Sequence, residues 1–269
     1  MQTRRFVSEL TWFIVNKAII VIFFYYATSY IKRQTFEKRG FFCDDQSINY
    51  PHIEEYIPWK TLKRICTFVP VIVIFVVEIY VDKTRCLMSF ILKMAKYIGS
   101  FHTGYMINQL SVKTVKRFAG RLRPVFLDVC KPKLNSECKP MEYIRNFECV
   151  NPRAESYLRK SFYSGHSCLA MFTAFYLILY IQTRLRPVLR ECAIIPILQC
   201  SLFLAGLFVG LSRVADYNHH WSDVGAGLFA GMVVATVNHY NWEPVNIEEE
   251  DEEESTTLLP TCKNSIQDR

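Results

Sequence analysis

Residues 193–240 read AIIPILQCSLFLAGLFVGLSRVADYNHHWSDVGAGLFAGMVVATVNHY. An apolar block, Ala193–Leu211, runs into a polar string from Ser212 to Asp223, and a second apolar block, Val224–Tyr240, follows at once. Both blocks are continuous rather than periodic and nearly free of charge. A helix at the surface of a soluble protein keeps a polar face toward water. Two unbroken apolar blocks around a short polar turn predict two membrane-crossing helices.

The same pattern extends toward the N-terminus. Four further blocks run Leu10–Ile31, Cys66–Val81, Ile91–Val115 and Cys168–Gln182. The first contains Asn16 and Lys17, and the third Lys93, Lys96 and His102, so their edges are soft. Several fall short of the ~20 residues that cross a bilayer core, and flanking Tyr and Trp make up the thickness. Over 269 residues, 51% are hydrophobic, which leaves too little polar sequence to cover six such blocks in water. The expected fold is all-α, a polytopic membrane protein with six transmembrane helices. Its expected divisions are 1–9, a cytoplasmic N-terminus; 10–240, the six-span domain; and 241–269, an acidic, disordered cytoplasmic tail. The first block is longer than a usual signal core and reads as an uncleaved anchor.

The formal net charge is +7, yet Glu248 through Glu254 is an unbroken run of seven acids, so the body before it is strongly basic. The positive residues are scattered between apolar spans, a distribution that excludes nucleic acid as the partner and suits anionic lipid.

An even number of spans puts both termini on one side. The connections between blocks three and four and between blocks five and six then share the other side. Three polar clusters fall on that shared face: Lys116-x6-Arg123-Pro124, Ser164-Gly165-His166, and Ser212-Arg213-x5-His219-x3-Asp223. Arg184, Arg186 and Arg190 after block four, with Lys83 and Arg85 after block two, place the termini in the cytoplasm, although Lys32, Arg33, Lys38 and Arg39 pull the other way. The clustered face is therefore expected to be extracellular or lumenal. Cys43, Cys130, Cys138 and Cys149 lie in its two loops. An oxidising compartment predicts at least one disulfide among them, with three full pairings open. The loop with Cys130, Cys138 and Cys149 shows no apolar core of its own, so a disulfide is expected to hold it over the pocket.

The clusters carry the tools for phosphate chemistry. Lys116 sits where a span ends, and Pro124 disfavours helix at Arg123, so a loop is expected to bring Arg123 back over the same pocket. Arginine offers a planar fork for two oxygens and lysine a point charge. Ser164 fits an N-cap, and the helix N-terminus behind it attracts anions, with Gly165 permitting close approach. His219 and Asp223, four apart, share a face at a helix start, so the carboxylate can fix the imidazole tautomer and leave the other nitrogen to attack. On that helix His220 would point elsewhere. Zinc is the chemical rival for His166, His219, His220 and Asp223, but Lys116, Arg123 and Arg213 favour an anion over a cation. The serine-hydrolase elbow spacing is absent around Ser164.

These three clusters resemble the signature of the type 2 phosphatidic acid phosphatase superfamily, and in particular its lipid phosphate phosphatase branch. The strings Gly120-Arg121-Leu122-Arg123-Pro124, Ser161-Phe162-Tyr163-Ser164-Gly165-His166-Ser167, Ser212-Arg213-Val214 and Arg39-Gly40-Phe41-Phe42-Cys43 carry the resemblance, over about residues 10–240. Carried over by position, it implies His219 as nucleophile, Asp223 as its orienting partner and His166 as general acid. Lys116, Arg123, Ser164, Gly165 and Arg213 would hold the phosphoryl oxygens, without a metal or other cofactor. The implied substrates are phosphatidate, lysophosphatidate, sphingosine 1-phosphate and ceramide 1-phosphate, met at the plasma membrane or endomembranes. Homo-oligomerisation stays open. Two alternatives remain: a polyprenyl diphosphate phosphatase, and a non-enzymatic multispan scaffold or transporter that binds anionic lipid. In the tail, Glu254 with Leu258 and Leu259 resembles an acidic dileucine signal read by a sorting adaptor.

Overall fold

The computed structural model describes residues 2–35, 38–82, 87–134, 138–189 and 193–242. Its helices are α1 (Gln2–Arg33), α2 (Trp59–Val81), α3 (Leu87–Ala119), α4 (Phe126–Cys130), α5 (Pro152–Leu158), α6 (Gly165–Arg184), α7 (Ile194–Ala215) and α8 (Trp221–Trp242). Lys83, Arg85, Arg190 and the acidic tail with Glu254, Leu258 and Leu259 lie outside the described residues.

Helix α6 is the axle of the bundle. It packs against α8, α7, α2 and α3. Leu169, Met171, Phe172, Tyr176, Leu177 and Tyr180 are buried along it, as expected of a helix apolar on all sides. The outer helices do the reverse. Phe68 and Ile72 on α2, Ile197 and Phe208 on α7, and Trp12 and Phe23 on α1 are more than half exposed. Apolar bands of this extent mark a surface that faces something other than water. Among the described residues, four helices are long and apolar enough to cross a membrane: Phe6–Arg33, Trp59–Val81, Gly165–Arg184 and Ile194–Ala215. The two remaining long helices, α3 and α8, are more polar, and part of that polarity is turned inward. Asn108 Nδ2 on α3 donates to the Cys168 carbonyl at 3.1 Å, and Asn238 Nδ2 on α8 donates to the Ser100 carbonyl at 3.1 Å.

Glycines decide how closely α8 meets α6. A Cβ on Gly231 would stand 2.5 Å from the Cys168 carbonyl oxygen and 2.8 Å from the Phe172 nitrogen. One on Gly227 would stand 2.7 Å from the Ser164 carbonyl oxygen. This small-xxx-small spacing lets two backbones touch. It brings the start of α8 beside the start of α6, where the Ser164 N–H donates to the Asp223 carbonyl at 3.0 Å. At the opposite end, Arg184 forks onto Glu78 with two 3.0 Å bonds and Tyr180 donates to the same carboxylate at 2.9 Å, tying α6 to α2.

A small cap closes the cluster-bearing end. Strand β1 (Phe41–Phe42) pairs antiparallel with β3 (Tyr143–Ile144), and β2 (Pro132–Lys133) with β4 (Glu148–Cys149). Disulfides join Cys43 to Cys138 and Cys130 to Cys149, so one of the three open pairings is realised. The expectation that this loop lacks an apolar core is corrected. Phe41, Ile48, Leu122, Val125, Phe126 and Leu158 form one. These residues come from three separate stretches of chain, which hid the core from a reading of any single loop.

Candidate active site

Chain ends from α3, α6, α7 and α8 meet beneath the cap. Lys116, on the last turn of α3, approaches the first turn of α6, its Nζ 3.9 Å from where a Gly165 Cβ would lie. Past the end of α3 the chain turns back. The Arg123 N–H donates to the Leu158 carbonyl at 2.9 Å, and the side chain is buried. Its guanidinium carbon lies over the Tyr157 ring, 3.8 Å from the centroid. The guanidinium also donates to the carbonyls of Tyr157 at 3.1 Å and Asn218 at 3.0 Å. Stacking and fixed acceptors thus hold the fork in one orientation.

Ser164 caps α6, accepting from the Ser167 N–H at 3.3 Å and from the Ser167 hydroxyl at 2.8 Å. His166 follows on the first turn, its ring 4.9 Å from that of Trp59. His166 Nε2 is buried and has no hydrogen-bond partner among the described residues. A buried polar atom left this way calls for a group that completes it.

Asp223 is the hub. It is fully buried, and Oδ1 accepts from Arg121 Nη1 at 2.6 Å. Oδ2 accepts from the Ser161 hydroxyl at 2.5 Å and from the His220 N–H at 3.0 Å. Both neighbouring imidazoles face Oδ2: His220 Nδ1 at 3.1 Å and His219 Nδ1 at 3.6 Å. The latter is longer than a hydrogen bond. His219 Nδ1 also lies 3.4 Å from the Ser161 hydroxyl, and the His219 backbone N–H donates to the Arg213 carbonyl at 3.0 Å. The expectation that His220 points away is corrected. Helix α8 begins only at Trp221, so both histidines precede it, and Asp223 folds back on the His220 N–H as in a capping box.

Burial and the Arg123 charge push the His219 imidazole well below its ordinary range, and Lys116 adds to this while Asp223 opposes it. His219 is therefore neutral, the form in which an imidazole nitrogen can attack.

Arg213 is fully buried, with Nη2 at 3.0 Å from Glu55 Oε1 and Nη1 at 3.0 Å from Asp216 Oδ2. Glu55, Trp59, Tyr157, Ser161, Asn218, Asp216 and Arg121 are site residues to which sequence reasoning assigned no role. Arg121 and Ser161 stand inside the quoted strings, and Asp216 and Asn218 between Arg213 and His219, so proximity was a signal for those four. Glu55 and Trp59 are over 100 residues from their partners and left none. Among the described residues, no group of three or more His, Cys, Asp or Glu is arranged to hold a metal ion.

The chain matches the PAP2 superfamily over residues 95–246. "Phospholipid phosphatase 1" of Rattus norvegicus is 39% identical to it over 215 residues, covering 76% of this chain and 74% of that protein. "Phospholipid phosphatase homolog 1.2 homolog" of Caenorhabditis elegans is 35% identical over 241 residues, 82% and 70% of the two chains. "Phospholipid phosphatase 2" of Homo sapiens is 36% identical over 211 residues, 74% and 72%. No solved structure matches the chain.

Proposed function

This chain belongs to the PAP2 superfamily, and from that premise we propose that it is an integral-membrane lipid phosphate phosphohydrolase. It releases inorganic phosphate from phosphatidate and related monoesters: lysophosphatidate, sphingosine 1-phosphate and ceramide 1-phosphate. The relatives' printed names support the lipid class. Six helices cross the membrane, α3 and α8 included, because part of their polar content faces the bundle interior. Both termini are cytoplasmic, and the capped site faces the lumen or the cell exterior, where the Cys43–Cys138 and Cys130–Cys149 bridges persist.

The observation that carries the reading is the placement of His219. Its Nδ1 is backed by Asp223 and Ser161, and its backbone is tied to Arg213. Nε2 is the nitrogen left to attack phosphorus. The P–N bond forms as the bond to the lipid oxygen breaks, and Asp223 stabilises the charge that develops on His219. His166, protonated when the phosphate dianion is bound, gives the leaving alkoxide its proton and becomes neutral. In the second half His166 takes a proton from water, the water oxygen bonds to phosphorus, and the P–N bond breaks to return neutral His219. Lys116, Arg123, Arg213 and the first turn of α6, with Ser164 and Gly165, stabilise the equatorial oxygens throughout. These fixed cations and N–H donors act where charge develops, the role a metal fills in other phosphoryl transfers.

Purified wild type and His219→Ala, assayed against phosphatidate, sphingosine 1-phosphate and a polyprenyl diphosphate, test the proposal. Wild type should release phosphate from the monoesters and His219→Ala from none. Turnover by folded His219→Ala would refute the nucleophile, and preference for the diphosphate would reassign the substrate.

A further inference from the structure

The segment 50–59 crosses the site, although it lies outside the span matched by the superfamily. Tyr50 donates its N–H to the Pro124 carbonyl at 3.0 Å and stacks on Tyr217 at 4.7 Å. The His52 N–H donates to Asp128 at 2.9 Å. Beyond these anchors the chain alternates: Glu55, Ile57 and Trp59 are half-buried while Glu54, Tyr56 and Pro58 are exposed. The inward side thus delivers a carboxylate to Arg213 and an indole to His166.

Arg213 now faces two carboxylates that differ in kind. Asp216 is fully buried, three residues away at the end of the same helix, and cannot leave. The Glu55 side chain is 32% exposed, on a segment that is neither helix nor strand, so it can rotate out and be hydrated. Arg213 Nε is buried and has no partner among the described residues, which leaves a donor on the guanidinium for a further acceptor. The charges around the site lean positive: Lys116, Arg121, Arg123, Arg213 and Lys160 stand against the acids Glu55, Asp216 and Asp223.

We propose that Glu55 is an internal counter-anion, whose carboxylate holds on Arg213 the place that a phosphoryl oxygen takes, and that the phosphate dianion displaces it. The inference rests on the phosphatase reading above and adds to it a competitor for the phosphate built into the chain. Glu55 keeps the buried guanidinium neutralised and oriented while the site is empty. It then sets how tightly phosphate is held and how readily the product leaves.

The test measures KM for phosphatidate in mixed micelles and the inhibition constant of inorganic phosphate, for wild type, Glu55→Gln and Glu55→Asp. With the competing charge gone, Glu55→Gln should lower both constants about two- to fivefold, the strength of a half-exposed ion pair. A residue that only supports Arg213 would raise them on removal. Unchanged or raised constants in Glu55→Gln therefore overturn the proposal. If that variant does not fold, Glu55→Asp, with its carboxylate drawn back by one methylene, should lower both by a smaller factor, and no fall there overturns it equally. If wild type does not hydrolyse phosphatidate, the phosphatase reading fails. The counter-anion is then judged by thermal protection with inorganic phosphate, which must be greater for Glu55→Gln than for wild type.

Discussion

Gly231→Ala and Gly225→Ala, both on α8, should move stability in opposite directions. A Cβ on Gly231 would lie 2.5 Å from the Cys168 carbonyl oxygen and 2.8 Å from the Phe172 nitrogen, both backbone atoms of α6 that have no rotamer to yield. Ordinary carbon–oxygen contact needs about 1 Å more, so α6 and α8 must separate by roughly that distance, at a cost on the order of 1–3 kcal/mol for overpacking. The consequence reaches the site, because α6 carries Ser164, Gly165 and His166 and α8 carries Asp223. A displacement of about 1 Å between catalytic groups lowers turnover about 100-fold. Gly225 is exposed and would meet nothing within 4 Å, so alanine there gains helix propensity, up to about 1 kcal/mol, with turnover preserved. The assay pairs kcat in detergent micelles with the temperature of half-inactivation for the two variants and wild type. Gly231→Ala with wild-type stability and turnover would refute the claim that backbone contact at this glycine sets the site geometry.

Two further outcomes are expected. Peptide mapping of non-reduced, alkylated protein should recover Cys43 with Cys138 and Cys130 with Cys149. Replacing either pair by serine should cost about 2–4 kcal/mol; four free thiols, or any crossed pair, would contradict the cap as built. Excess EDTA should leave phosphate release near its starting value, because the proposed mechanism assigns neutralisation of the phosphate to Lys116, Arg123 and Arg213, three cations that all act on His166; activity lost in chelator and restored by magnesium or zinc would overturn the metal-independent mechanism.

Much of the molecule is legible along the chain because the relevant physics is local. Apolar blocks set helix positions through hydropathy alone, and α2, α6 and α7 fall on the blocks at Cys66–Val81, Cys168–Gln182 and Ala193–Leu211 with ends moved by a turn or two. The three polar clusters are short strings whose members lie within a few residues of one another, so Ser164 as the cap of α6 follows from spacing. Local spacing failed where it assumed a helix already under way: His220 turned toward Asp223 because α8 starts one residue later.

What tertiary structure alone decided involves partners far apart in sequence. The disulfide pairing joins residues 95 and 19 positions apart, and a count of cysteines cannot choose between such closures. The core of the cap draws on Phe41, Phe126 and Leu158, too dispersed to form a pattern. Glu55 reaches Arg213 across 158 residues. The sequence determined which groups line up at each helix end, because hydropathy and spacing act between neighbours. Only the packing of α8 on α6, set by backbone contact at Gly227 and Gly231, decided which of those ends share one pocket.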